Sequence, residues 1–161
     1  MEQSVPTISF KDFLDWEAIQ DTRHELIAGR ILAFAGASKD HNHIADNIHF
    51  ALREFLQPPC VVYGNNVILQ TLSRTGDNGL RPDVVVSCAS EDASGTERYI
   101  TVPRIVVEVR SPSNDDTEWK KKFEEYRNAP CIEQIVIVES QTRAIASIKD
   151  VEDLRFSKAT L

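Results

Sequence analysis

The run Arg104-Ile105-Val106-Val107-Glu108-Val109-Arg110 constrains this chain more than any other segment. Four β-branched residues within six positions read as a strand buried on both faces of a sheet, where near-continuous apolar runs belong. Yet Glu108 stands inside it. Burying an ionised carboxylate costs several kcal/mol unless a cation or hydrogen-bond donors offset it. Arg110 lies two residues on, on the same face of the strand, and is the first candidate partner.

The rest of the chain supplies elements for one α+β layer structure. Ser9, with Asp12 three residues later, opens a short amphipathic helix carrying Phe10, Phe13 and Leu14. "RHELIAGRILAFA" reads as two strands joined by a hairpin turn at Ala28-Gly29. Ile44, Ile48, Leu52 and Phe55 recur at helical spacing from Ser38 or Asp40 to about Leu56, and Pro58-Pro59 stops that helix. Short strands at "CVVYG" and "NVILQTL" flank a Gly64-Asn65 turn. "RTGDNG" reads as a loop, "LRPDVVVSC" as one strand and "ASEDASGTERYITVP" as irregular chain. A helix from about Asp116 to Asn128 is followed by a closing pair of strands, "QIVIVES" and "AIASIKD". The expected fold is a single domain over residues 1–161, with one twisted mixed β-sheet flanked by α-helices.

Asp83 is the second unexpected carboxylate, placed by Pro82 at the head of Val84-Val85-Val86. If adjacent strands bring Asp83 and Glu108 to one pocket, each raises the other's pKa until a cation sits between them. Mg²⁺ suits such a pair, since it takes one or two carboxylates together with water and phosphate oxygens. The same spacing fits a structural ion pair of Glu108 with Arg110 or Arg81.

Helical geometry separates the three lysines of the late helix. Trp119, Phe123 and Tyr126 form an apolar stripe, and Lys122 lies roughly 65° from its centre, while Lys121 points nearly opposite. Lys122 is the lysine that can turn inward; a snorkelling side chain gives the same pattern. By the same reasoning His41 shares a face with Ile44, Ile48 and Leu52, and His43 points away. Glu25 alone is an ordinary strand residue.

In order, "HELIAG", "ASKDHNHIADNI", "RPDVVV", "RIVVEVRSPSN", "KFEEYRNAP" and "IVIVE" resemble the Uma-two family of restriction-endonuclease-like proteins, within the PD-(D/E)XK nuclease superfamily. The resemblance runs from about Thr7 to Ile148. It implies a restriction-endonuclease-like fold and a Mg²⁺-dependent endonuclease acting on DNA, with Mn²⁺ as a substitute ion. Asp83, Glu108 and the backbone carbonyl of Val109 match the metal ligands. The superfamily's usual lysine position, two residues after the Glu, holds Arg110; Lys122 matches the place to which this family moves its lysine. Glu25 matches the early Glu and completes the catalytic set, with His41, Arg110 and Tyr126 in support. A homodimer is implied, since cutting both strands needs two sites.

Charge complicates that picture. The net charge of −7 is unlike the basic footprint of a protein that binds nucleic acid by bulk electrostatics. It leaves open a catalytically silent binding or regulatory module on the nuclease fold, or a metal-dependent hydrolase of small nucleotides. No apolar run reaches the roughly 20 residues of a membrane span, and the N-terminus lacks a signal-peptide pattern. Cys60, Cys88 and Cys131 read as free core thiols of a reducing compartment, which with these absences predicts a cytoplasmic protein.

Overall fold

The computed structural model describes residues 7–34, 36–73, 76–111 and 116–148, and the backbone of a strand at 155–157. The order is α1 (Phe10–Glu17), β1 (His24–Ile27), β2 (Arg30–Ala33), α2 (Lys39–Phe55), β3 (Val61–Gly64), β4 (Ile68–Ser73), β5 (Gly76–Leu80) and β6 (Val84–Ser87). A 3-10 turn at Ser90–Asp92 follows. The chain ends with β7 (Tyr99–Ile100), β8 (Pro103–Arg110), α3 (Asp116–Asn128), β9 (Gln134–Glu139), β10 (Ile145–Ile148) and β11 (Arg155–Ser157).

The strands form two sheets where the sequence suggested one: β2-β1-β5-β4-β7 and β11-β10-β9-β8-β6-β3. The division falls inside the segment read as a single strand, "LRPDVVVSC". β5 ends at Leu80 and β6 starts at Val84, so Arg81-Pro82-Asp83 crosses from one sheet to the other. Pro82 has no N–H to give a ladder, which suits it to that crossing. The expected loop "RTGDNG" is corrected too: Gly76–Leu80 is a strand between β1 and β4. Its glycines hid the strand, but Gly79 is there because α1 packs on it; an added Cβ would meet the Phe13 ring at 2.8 Å.

Capping and turn chemistry fix the local elements. Ser9 caps α1 by accepting from the Asp12 N–H, and Ser38 caps α2 by accepting from the His41 N–H. At the β1–β2 turn both Ala28 (φ 51°) and Gly29 (φ 74°) are left-handed, as a two-residue hairpin of matching twist requires.

Strand alternation on β8 sorts the core. Val106 packs with Leu80, Val85, Ile135 and Ile137 in a cluster that includes Tyr126 of α3 and is flanked by Trp119 and Phe123. Val107 and Val109 point the other way and pack with Val84 and Val138 beneath Ile44, Ile48 and Leu52 of α2. Glu108 therefore shares the α3 face with Val106. A buried polar link ties α3 to the first sheet. The Asn78 amide donates to Glu125 at 2.8 Å and to Thr71 at 3.1 Å, and its oxygen accepts from the Ala28 N–H.

The free-thiol expectation is overturned at two of three positions. Val61 pairs with Ser87 in the β3–β6 ladder, so Cys60 and Cys88 are cross-strand neighbours, and they form a disulfide. Their separation of 28 residues concealed that adjacency. Cys131 is free and half-buried. The cysteines thus give no argument for a reducing compartment. Among the described residues, no helix is long and apolar enough to cross a membrane.

Candidate active site

The β6–β8 ladder pairs Val84 with Val107 and Val85 with Val106. Continuing that register by one residue sets Asp83 opposite Glu108, where β6 has ended and β8 runs on. The unpaired N–H of Val109 donates there to Asp83 Oδ2 at 2.7 Å. The Val109 carbonyl leaves the strand on the same edge, since the next carbonyl, of Arg110, accepts from Ser140 on the opposite, β9 side.

Lys122 answers the buried glutamate. Its ammonium lies 2.8 Å from both Glu108 Oε1 and Glu25 Oε1 and donates to the Arg81 carbonyl at 3.2 Å. Tyr126, one helical turn on, donates its hydroxyl to Glu108 Oε1 at 2.5 Å. The Arg81 N–H donates to Glu25 Oε1 at 2.6 Å. His41 enters from α2, with Nε2 2.8 Å from Asp83 Oδ1 and Nδ1 3.3 Å from the Ser111 hydroxyl. The structure thus gathers Glu25, His41, Asp83, Glu108, Lys122 and Tyr126 in one cluster from five separate segments, with Lys122 and Tyr126 both on α3.

Arg110 goes elsewhere. Its guanidinium bonds Glu139 and Asp116 and lies 4.6 Å over the Trp119 ring, so it does not neutralise Glu108. Arg81 does not pair with Glu108 either. Its buried guanidinium bonds Glu17 Oε1 at 2.9 Å and the carbonyls of His24, Asn65 and Asn66. The roles of Arg81 and Glu17 in framing the cluster were missed in the sequence. The available signal was an arginine wedged between the buried Leu80 and Pro82; for Glu17 there was none. The Pro112–Asn114 part of the "RSPSN" motif lies outside the described residues.

Glu25 and Glu108 share the Lys122 ammonium while Asp83 pairs with His41, so three carboxylates face one permanent cation. Burial pushes the Glu108 carboxyl up to about 7, against the pull of Lys122 and with help from Asp83 and Glu25. Burial opposes charge on Lys122 as well, but Glu108 and Glu25 outweigh it and hold the amine protonated. Burial, then Glu108 and Glu25, push the Tyr126 phenol well up, so it stays a donor. The hydrogen bond to Asp83 raises His41 against the effect of burial.

The cluster opens into a cavity of about 950 Å³ lined by Glu25, His41, Asp83, Glu108, Val109 and Lys122 among others. Among the described residues, no three His, Cys, Asp or Glu side chains are set to enclose a metal ion. The donor set still fits a hard divalent cation, because Mg²⁺ needs only one or two carboxylates and keeps waters for its other positions. The recorded bonds to Glu108 all fall on Oε1, and each Asp83 oxygen keeps a lone pair beyond its one hydrogen bond.

Comparison with known proteins gives the family and the fold. The model of the Uma2 family, described as putative restriction endonuclease, matches residues 10–158. The chain belongs to the Uma2 family. An uncharacterized protein of Synechocystis sp., slr1290, is 33% identical over 135 residues, covering 84% of this chain and 70% of that one. A crystal structure from Anabaena variabilis, described as a putative nuclease belonging to DUF820, superposes with a TM-score of 0.74 at 14% identity. It covers 92% of this chain and 83% of that chain. This Uma2 chain therefore has the restriction-endonuclease-like fold, an α+β arrangement of mixed sheets and helices.

Proposed function

We propose that this Uma2 protein is a Mg²⁺-dependent endonuclease that hydrolyses DNA phosphodiester bonds, with Mn²⁺ able to substitute. One observation carries the reading: a lysine amine 2.8 Å from two carboxylates, beside a third carboxylate just ahead of the neighbouring strand, all facing one open cavity. A purely structural ion pair needs one acid for one base. Here three acids face two bases, Lys122 and His41, and a divalent cation relieves the surplus.

Asp83, Glu108 and the Val109 carbonyl would hold the ion, with Glu25 beside them. When bound, Mg²⁺ supplies an acidified water and neutralises charge gathering on the phosphoryl oxygens. The chain's own groups do the rest. Lys122, held protonated, stabilises the negative charge that develops on the phosphate and orients the attacking water; it does not act as a base. Tyr126 and Lys122 fix one oxygen of Glu108 and leave the other toward the cavity. His41 and the Val109 N–H fix the plane of the Asp83 carboxylate. Arg110, drawn off to Glu139, Asp116 and Trp119, steadies the start of α3 and so the place of Lys122. Cutting both strands requires two such sites, and we assign the active form as a homodimer.

The test is cleavage of supercoiled plasmid in Mg²⁺, with EDTA, Asp83→Ala and Lys122→Ala as controls. Cleavage abolished by each supports the reading. Metal binding without cleavage of the plasmid at any concentration would establish the silent binding or regulatory module.

A further inference from the structure

Substrate binding poses a problem that the cluster itself does not solve. Five carboxylates line the cavity, those of Glu25, Asp40, Asp83, Glu108 and Glu118, against the three permanent cations Arg81, Lys122 and Arg143. A DNA backbone entering this cavity meets a net negative wall, and a divalent ion bound at Asp83 and Glu108 is committed to the phosphate being cut. A neighbouring phosphate needs a cation of its own.

Two of the three are already committed. The Arg81 guanidinium is spent on Glu17 and on the carbonyls of His24, Asn65 and Asn66. The Lys122 amine is held between Glu25 and Glu108 and serves the scissile phosphate, not its neighbour. Arg110 is not on the cavity wall and is held by Glu139 and Asp116. Arg143 differs from all of these: it is exposed, it lines the cavity, and among the described residues its side chain has no partner.

The backbone makes the same residue conspicuous. Arg143 closes the turn from β9 to β10, its N–H donating to the Glu139 carbonyl at 2.8 Å, with φ at 55°. That left-handed conformation suits glycine or asparagine and is disfavoured for an arginine. The turn therefore carries an arginine where the backbone favours glycine or asparagine, at a position bordering the cavity where its guanidinium has no partner among the described residues. The geometry points to Arg143 as the anchor for a DNA backbone phosphate next to the scissile one, a role that rests on the nuclease reading above. A guanidinium matches two phosphate oxygens at once, which fixes the strand's position as well as attracting it.

Arg143→Asn and Arg143→Lys test this, with a labelled DNA duplex as probe, cleaved in Mg²⁺ and bound in Ca²⁺ at several salt concentrations. Arg143→Asn should raise KM about tenfold with kcat within about twofold, and reduce the salt slope of binding by about one. Its melting temperature should stay the same or rise, because asparagine accepts the left-handed turn. Arg143→Lys should recover the salt slope and only part of the KM. Wild type that cleaves while Arg143→Asn keeps its KM and salt slope overturns the anchor alone. So does a fall in melting temperature and kcat together, which would mark a structural residue. Wild type that neither cleaves nor binds the duplex overturns the nuclease reading, and the anchor with it.

Discussion

The N–H of Arg81 donates to Glu25 Oε1 over 2.6 Å, and the carbonyl of that same residue receives the Lys122 amine. One residue's main chain thus holds both outer members of the charged cluster, and its side chain nails that backbone to Glu17. Breaking a buried pair strands the surviving charge. Glu17→Ala should therefore destabilise the protein by about 3–5 kcal/mol, and Glu17→Gln, which keeps an acceptor for the guanidinium, by much less. Urea unfolding of both variants decides it; equal losses would show that the charge on Glu17, and not its acceptor oxygen, holds the guanidinium.

Lys122 and Arg110 are to be told apart by activity. Removing a preorganised cation from a site of developing negative charge costs about 10²–10³ in kcat, which is the loss expected for Lys122→Met. Arg110→Ala breaks pairs that are partly exposed and should stay within about fivefold of wild type. The reverse order in plasmid-cleavage rates would transfer the essential charge to Arg110.

Proton counting tests the ion. The folded-state pKa of Glu108 lies above its ordinary value, so between pH 4.5 and about 7 the native protein binds more protons than the unfolded chain. Stability of the metal-free protein should accordingly fall as pH rises through that window. An ion that needs the carboxylate must expel the proton. Calorimetric titration with Mg²⁺ in buffers of different ionisation enthalpy should show close to one proton released near pH 6 and none near pH 8.5. A pH-independent heat would remove Glu108 from the ligand set.

Tyr126→Phe removes the hydroxyl that fixes Glu108 and little else, since the ring stays in the core. Groups that orient a metal ligand typically contribute about 10–100-fold in affinity, against about 1–3 kcal/mol of stability for a hydrogen bond to a charged acceptor. Weaker Mg²⁺ binding with intact circular dichroism is the expected result. Unchanged affinity would reduce Tyr126 to a packing residue.

Several of these relations were legible in the chain. Period-two alternation put Glu108 on one face with Val106, and the helical stripe of Trp119, Phe123 and Tyr126 selected Lys122 from three adjacent lysines. What escaped was tertiary. "LRPDVVVSC" is continuous in composition, yet it is cut at Pro82 because the second sheet begins there. "GDNGL" lacks every β-forming signal and is a strand because Asn78 and Gly79 meet α3 and α1. Cys60 and Cys88 become neighbours only through the β3–β6 register. Arg110 and Lys122 could each have answered Glu108, and their choice depended on Asp116, Glu139 and Trp119 drawing the arginine away.

The cation of this site rides on α3, not on the strand that carries Glu108. Both acids of the Asp83–Glu108 pair precede that helix in the chain, and Glu25 precedes them. A polypeptide growing from its N-terminus therefore completes its sheet-borne acids before the amine that balances them exists. Any product terminated between β8 and α3 carries Glu25 and Glu108 without the ammonium that both contact in the whole chain. The charged cluster of this domain is then a property of chains that extend through α3, withheld from shorter ones by the order in which the residues are made.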